Sequence, residues 1–326
     1  MRRRAFIVAL GSAAAWPLAS RAQPGTQVRR VGVLAATAEV FEQGVKVFQT
    51  TLQSLGWIEG RNLELHKRFI GPLGGDAPQR AKELIGLRPD VLLAAPTVAV
   101  LALSRMTRTL PIVFVGVSDA VEQGIVPSLS RPGGNLTGFS SPTFQIVGKG
   151  LQLFKEIAPG VTRLEALFSP TSPVGRRYVA NAETAGQSLF IGVTSNPVQS
   201  RAEIEHSVLE FAREPNGGLY LPPDTFTYNN GDLIVDLATR YKLPTVHGRR
   251  AMVDAGGLMS YDRANPAQEY RGAASYVDRI LRGEKAGDLP VQQPTRFEFV
   301  LNLKTAKTLG LAVPPGILAI ADEVIE

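Results

Sequence analysis

Residues 91–117, VLLAAPTVAVLALSRMTRTLPIVFVGV, contain one strand, one helix and a second strand in succession. The runs at 91–95 and 111–117 are continuously apolar, which is typical of strands buried on both faces of a parallel sheet. Between them, Thr97 is positioned to cap a helix that extends to Met106. Because parallel strands joined by a helix bury the sheet beneath helices, this stretch predicts an α/β protein.

The same alternation of strand and helix continues on both sides of this unit. Towards the amino terminus, strands are predicted at 31–36 and 63–69, each followed by a helix with apolar residues at helical spacing. The loop 131–135, RPGGN, separates two halves of similar size. The second half shows the same alternation of strands and helices but no residue-level sequence repeat of the first half. Its helices are predicted at 146–157, 176–189, 204–212, 233–241 and 267–281, and its strands at 164–168, 191–198, 218–221, 245–247 and 257–260. The tail is predicted as a strand from residue 293 and a helix to 309, so the fold class is α/β, with two doubly wound parallel-sheet lobes.

The composition is that of a globular protein without cysteine. The chain has 326 residues, of which 44% are apolar and 20% are charged. The lack of cysteine excludes disulfides, cysteine nucleophiles, iron–sulfur clusters and cysteine-bound zinc. Its 35 basic and 29 acidic side chains give a net charge of +6, which by itself suggests a nucleic-acid partner.

The amino-terminal segment accounts for most of that charge. Arg2, Arg3 and Arg4 precede a short apolar stretch at 5–16, and Ser20-Arg21-Ala22 follows as a small–x–small cleavage pattern. Together they predict a signal peptide, residues 1–22, of twin-arginine-like type, cleaved near Ala22; the alternative is a short amphipathic helix. Removing its four arginines leaves 31 of the 35 basic side chains against 29 acidic ones, a net charge of +2. We therefore expect an exported, periplasmic protein and no nucleic-acid partner.

The chain lacks the common catalytic and cofactor motifs. It has no G-x-S-x-G elbow, Walker A loop, G-x-G-x-x-G or H-E-x-x-H. Its three histidines are far apart and share no metal-ligand spacing, and Ser118 lacks the second glycine of a nucleophile elbow. We therefore predict no enzyme activity, no metal and no cofactor. The arginine pairs, Arg249-Arg250 among them, are interpreted as scattered loop or solvated side chains.

Polar and aromatic residues at the ends of predicted strands are the candidates for a binding site. In open α/β sheets, ligands bind at the carboxyl ends of the strands, where helix amino termini also offer amide groups to anions. Such residues occur in both halves, although each serine or threonine is also a candidate helix cap. Aspartates there suit a ligand amine, and aromatic rings suit a planar group. The predicted ligand-binding residues are Thr37, Phe41, Pro96, Thr97, Asp119, Thr171, Ser172, Asp224 and Tyr261.

Several long motifs resemble one family of solute-binding proteins. They are LSRPGGNLTG (129–138), GGLMSY (256–261), YVDRILRG (276–283), DLPVQQPT (288–295), NLKTAKTLG (302–310) and ADE (321–323). The chain thereby resembles, from about Val28 to its end, the ABC transporter substrate-binding proteins that include tryptophan- and tyrosine-type members. Two positions depart from the family pattern: Ala120 stands where many relatives have proline after aspartate, and Asp262 stands where many have glycine.

The resemblance implies a type I periplasmic-binding-protein fold with a ligand between two lobes. By analogy, three hinge crossings are expected near Phe139, Tyr261 and Pro290. They place 28–139 with 262–289 in lobe 1, and 140–261 with 290–326 in lobe 2. The implied function is capture of a small organic ligand, an amino acid or an aromatic carboxylate, by a monomer that presents it to an ABC permease in the inner membrane. A periplasmic sensor for a membrane receptor and an exported α/β hydrolase are the alternatives.

Overall fold

The computed structural model of the chain describes residues 28–37, 39–141 and 143–326. The predicted signal peptide, residues 1–22, lies outside these ranges. Within them, no helix is both long enough and apolar enough to cross a membrane.

The strands form two sheets. The first has five strands, all parallel, in the order β2–β1–β3–β4–β5. Its members are β1 (Arg29–Ala36), β2 (Leu63–Ile70), β3 (Val91–Ala95), β4 (Ile112–Ser118) and β5 (Leu136–Ser141). The second has seven strands in the order β12–β11–β10–β9–β8–β6–β7. Its members are β6 (Arg163–Phe168), β7 (Gly192–Pro197), β8 (Gly217–Leu221), β9 (Thr245–His247), β10 (Met259–Arg263), β11 (Phe297–Asn302) and β12 (Glu323–Ile325).

Helices cover both faces of each sheet. They are α1 (Glu39–Ser54), α2 (Ala77–Gly86), α3 (Thr97–Met106), α4 (Thr143–Ile157), α5 (Gly175–Leu189), α6 (Arg201–Phe211), α7 (Thr225–Asn229), α8 (Gly231–Arg240), α9 (Arg250–Asp254), α10 (Pro266–Leu281), α11 (Leu303–Thr308) and α12 (Pro315–Ile320). Neighbouring side chains of a strand point to opposite faces. Val33 of β1 accordingly packs in the core with α1 and α10, whereas Leu34 packs in the core with α2 and α3. This arrangement explains why β3 and β4, which are buried on both faces, are almost uninterrupted apolar runs.

The chain passes between the two sheets three times. Ser141 ends β5 in the first sheet, and Phe144 already belongs to α4, which packs in the core of the second. The chain returns between Arg263 of β10 and helix α10, which packs on the first sheet. It crosses again after Gln292, which pairs with Phe139 in an isolated bridge, before β11 enters the second sheet. The predicted fold class, two doubly wound lobes joined by a three-crossing hinge, is confirmed.

One strand pair departs from the predicted parallel order. Strand β11 is antiparallel to β10, with Tyr261 opposite Phe299. The connection explains the direction, because β10 leaves the second sheet towards the first lobe whereas β11 arrives from that lobe. Strand β12 then pairs with β11 in parallel.

Several short elements were not predicted from the sequence. Strand β5, LTGFSS, has no apolar run, and its Gly138 has φ +148. A Cβ at Gly138 would lie 2.1 Å from the carbonyl oxygen of Phe114 on the neighbouring strand, so this close backbone approach requires glycine. The sequence analysis also did not predict helices α7 and α9 and strand β12, because elements of three to five residues are too short to show a periodic pattern of apolar residues.

Candidate functional site

A cleft between the two lobes encloses about 700 Å³, including the space at its mouth. Its walls come from the carboxyl ends of strands in both sheets, where the sequence had placed the candidate residues. Six of the nine predicted residues line it: Phe41, Pro96, Thr97, Thr171, Ser172 and Asp224.

The structure places the other three predicted residues elsewhere. Thr37 is exposed just beyond β1, and its amide donates to the Ile70 carbonyl. Asp119 is buried beside the first crossing, where its carboxylate accepts a hydrogen bond from the Phe144 amide at 2.8 Å. Tyr261 lines a second, smaller cavity inside the second lobe. None of these three side chains is in the wall of the main cleft.

Asp224 is held at the cleft wall by its role as a helix cap. Its carboxylate accepts a hydrogen bond from the Thr227 amide at 2.9 Å, at the start of α7. Burial raises the pKa of Asp224, while hydrogen bonds from Thr227, Ser169 and Ser172 oppose that shift. The capping and cleft-lining interpretations of this aspartate therefore both hold.

The predicted capping role of Thr97 is wrong. Thr97 is the first residue of α3, and Pro96 occupies the capping position without a side-chain hydrogen bond. The Thr97 hydroxyl instead accepts a hydrogen bond from the Ser118 amide at 3.4 Å, which joins the ends of β3 and β4 at the cleft wall.

Polar contacts join the two lobes across the cleft. Ser118 Oγ lies 2.8 Å from the hydroxyl oxygen of Tyr178 on α5. The Thr171 hydroxyl donates to the Leu73 carbonyl of the first lobe. Arg177 on α5 forms an ion pair with Glu122, which follows β4. The lobes are thus closed against each other.

Arg249 is a cleft residue that the sequence interpretation missed. It lines the cleft from the second lobe, with its Cζ 5.7 Å from the ring centroid of Phe41 in the first lobe. Its neighbour Arg250 points to other partners and forms ion pairs with Glu298 and Glu323. The signal in the sequence is position, because Arg249 comes two residues after the carboxyl end of β9. The sequence analysis treated both arginines alike, as loop or solvated side chains.

A buried ion pair lies beneath the cleft floor. Nε of Arg263, from β10, is 3.2 Å from Oε1 of Glu269 on α10. The other carboxylate oxygen of Glu269 accepts a hydrogen bond from the Gly116 amide at 3.3 Å, and Gly116 lines the cleft. The second crossing is therefore tied directly to the floor of the site.

A family model described as ABC transporter substrate binding protein matches residues 33–325. The chain belongs to this family. A curated relative, the tyrosine-binding protein of Clostridioides difficile, is 22% identical to this substrate-binding protein over 270 residues, which cover 83% of this chain and 77% of the relative.

Solved structures have the same two-lobe fold. A conserved domain protein from Vibrio cholerae superposes with a TM-score of 0.83 at 26% identity, covering 91% of this chain and all of that one. A domain from Streptococcus pneumoniae, solved in complex with L-Trp, superposes with a TM-score of 0.80 at 24% identity, covering 91% of this chain and 99% of that one. The type I periplasmic-binding-protein fold inferred from the motifs is confirmed.

Neither a metal centre nor a serine–histidine pair is assembled in the described part of this substrate-binding protein. No three histidine, aspartate or glutamate side chains there are grouped to hold a metal ion. Ser118 Oγ pairs with Tyr178, whereas Nε2 of the buried His247 lies 2.8 Å from the Thr245 hydroxyl.

Proposed function

We propose that this protein is the exported solute-binding component of an ABC importer, and that it captures an amino acid with an aromatic side chain in the interlobe cleft. The observation that carries the proposal is the placement of a guanidinium, a carboxylate and aromatic rings around one cavity. Arg249 supplies the positive charge, Asp224 the negative charge, and Phe41 and Tyr228 the rings.

Each group matches one part of such a ligand. A guanidinium binds a carboxylate through two parallel hydrogen bonds, so Arg249 takes the ligand carboxylate. Asp224 takes the ammonium group, because it is a carboxylate-bearing residue that lines the cleft. Phe41 and Tyr228 then pack on the planar side chain. Tyrosine and L-Trp, the ligands in the names of the two relatives, have all three features.

Transport follows from the hinge. The lobe limits proposed, 28–139 with 262–289 and 140–261 with 290–326, fall two to three residues before the end of β5, the end of β10 and Gln292 of the Phe139–Gln292 bridge. Rotation about the three crossings opens and closes the cleft. A permease in the inner membrane receives the ligand from the closed, monomeric protein in the periplasm. Binding occurs without turnover.

Calorimetric titration of the purified protein with tyrosine, tryptophan and phenylalanine tests the ligand assignment. The matched probe is 3-phenylpropionate, which keeps the ring and carboxylate of phenylalanine but lacks its amine. We expect saturable binding of an aromatic amino acid and at least tenfold weaker binding of the amine-free analogue, since the charge-assisted hydrogen bond between the ligand ammonium and Asp224 is then lost. Equal affinities for both compounds, or no binding of any aromatic amino acid, would refute the assignment.

The rival functions are separated by different measurements. A hydrolase would turn over ester or amide substrates and lose that activity in a Ser118→Ala variant; we expect no turnover in either protein. A sensor would be encoded beside a membrane receptor kinase, whereas an importer component is encoded beside a permease and an ATPase.

A further inference from the structure

The amino-terminal edge of the first sheet carries a row of arginines. An arginine begins each of its five strands or precedes the strand by two to five residues. Because the strands are parallel and neighbours are about 4.8 Å apart, the five strand starts span one edge about 20 Å wide. In the spatial order β2, β1, β3, β4 and β5, the arginines are Arg61, Arg29, Arg88, Arg108 and Arg131. The ligand cleft lies at the opposite, carboxyl ends of these strands.

A groove of about 510 Å³ runs along this edge. Arg29 and Arg108 line it from the starts of β1 and β4, and Lys285, which follows α10, lines it from the other side. Gly134 and Asn135 of the RPGGN loop also line the groove. Two motifs that the ligand cleft does not use, the RPGGN loop and the segment after α10, therefore meet here.

The edge has a surplus of unpaired positive charge. Four of its carboxylates, those of Asp90, Glu64, Asp278 and Glu284, already form ion pairs with Arg29, Arg30, Arg282 and Arg279. Glu59 accepts a hydrogen bond from Gln49, and Asp288 is exposed without an ion pair. Six exposed cations at the edge form no ion pair or side-chain hydrogen bond with any described residue: Arg61, Arg88, Arg105, Arg108, Arg131 and Lys285.

Three apolar side chains are exposed beside these cations. Val28, Ile58 and Met106 are 42%, 37% and 43% exposed. Each lies within three residues of an arginine of the row. An anionic bilayer attracts clustered cations and also offers an apolar region to neighbouring side chains. Nucleic acid would match the charge alone, so the combination favours a lipid surface.

We propose that the amino-terminal edge of the first sheet binds the surface of a bilayer that contains anionic phospholipids. The unpaired cations contact the lipid phosphates, while Val28, Ile58 and Met106 enter the headgroup region. Because the cleft is at the other end of the strands, it faces away from the bound surface and stays open to solutes. This interaction goes beyond the proposed transport function and does not depend on it.

Sedimentation with lipid vesicles tests the proposal. The protein is used from residue 23 onward, because a retained leader would bind lipid by itself. We expect binding to mixed phosphatidylglycerol–phosphatidylcholine vesicles at low salt, release at high ionic strength, and no binding to pure phosphatidylcholine vesicles. No binding to the mixed vesicles at low salt, or equal binding to both kinds of vesicle, would overturn the proposal.

A triple variant locates the contact. Combining Arg88→Gln, Arg108→Gln and Lys285→Gln should lower partitioning onto the mixed vesicles by about 100-fold, because each cation near an anionic surface contributes roughly a factor of five. Replacing the same two arginines by lysine keeps the charge and should leave binding close to that of the wild type. If the lysine variant loses binding as completely as the glutamine variant, charge attraction to the bilayer is not the cause.

A second triple variant controls for net charge. Lys149, Arg240 and Lys304 are exposed, lie in the second lobe and have no ion pair with any described residue. Replacing all three by glutamine changes the net charge by the same amount, yet vesicle binding should stay at the wild-type level. An equal loss in both triple variants would show that overall charge, and not this edge, drives the association.

Two further measurements separate the other roles of these cations. Cations near helix carboxyl ends also stabilise helices, so a lower melting temperature in the first triple variant, together with no vesicle binding by the wild type, would assign them to the fold alone. Short duplex DNA that binds while mixed vesicles do not would assign the edge to a different polyanion. Met106→Gln should weaken vesicle binding about threefold through lost apolar contact, and an unchanged affinity would contradict the proposed depth of contact.

Discussion

Arg249 of the second lobe lies over the ring of Phe41 of the first lobe, with its Cζ 5.7 Å from the ring centroid. The contact joins residues that are more than two hundred positions apart in the sequence and belong to different lobes. A guanidinium over an aromatic face contributes about 0.5–1 kcal/mol at a partly exposed site. The same pair also presents a charge and a ring to any molecule in the cleft.

Arg249→Gln should weaken binding of an aromatic amino acid by about 10- to 100-fold, because a charge-assisted hydrogen bond to the ligand carboxylate is lost. Calorimetric titration measures the change. The matched control is Arg250→Gln, which removes the ion pairs with Glu298 and Glu323 and leaves the cleft intact. If both variants bind the ligand equally well, Arg249 is not the carboxylate anchor.

Glu122→Gln should reduce ligand affinity by no more than about fivefold, because the Glu122–Arg177 ion pair is exposed and bridges the closed lobes. The effect should shrink further at high ionic strength, where such charges are screened. Titrations at low and high salt measure both. A loss of affinity that does not depend on salt would show that Glu122 acts through something other than charge.

Asp119→Asn should stabilise the protein above pH 6. Burial raises the pKa of Asp119 to about 6, so between roughly pH 4 and 6 the folded protein binds more protons than the unfolded chain. The contribution of this carboxyl to stability therefore decreases as pH rises through that window and stays low above it. We expect the variant to gain about 3 kcal/mol at pH 7.5 relative to wild type, and most of the gap to close at pH 4.

Urea unfolding at several pH values measures this difference. Comparing the two proteins at each pH removes the opposite effect of His247, whose lowered pKa costs wild type and variant the same stability in acid. A difference between the proteins that is constant from pH 4 to 7.5 would show that Asp119 does not titrate in this window.

Gly44→Ala should destabilise the first lobe by about 1–3 kcal/mol, because overpacking forces neighbours to shift. A Cβ at Gly44 would lie 2.1 Å from the ring of Tyr270, which is buried between α1 and α10. Gly86→Ala is the control: nothing lies within 4 Å of its Cβ, and it should stabilise α2 by about 0.5–1 kcal/mol. Thermal unfolding of both variants checks the prediction, and equal melting temperatures would contradict it.

The sequence alone determined which residues form most strands and helices and which ends of the strands carry the site. Continuous apolar runs such as 31–36 and 91–95 indicate strands that are buried on both faces, and this can be inferred from the sequence of each segment alone. The position of Asp224 after a predicted strand was enough to place it at the cleft. The family motifs added the two-lobe architecture and its three crossings.

Only the tertiary structure decided which side chains meet. Arg249 and Arg250 are chemically identical neighbours, yet one faces the cleft and the other pairs with Glu298 and Glu323, because α9 begins between them and turns successive side chains apart. Asp119 and Tyr261 also follow strands predicted from the sequence. In the structure, Asp119 binds the Phe144 amide at the first crossing, whereas Tyr261 lies within β10 and lines the second cavity. The pattern of apolar residues along the chain indicates which residues are buried. Side-chain contacts across the cleft depend instead on how the fold brings distant segments of the two lobes together.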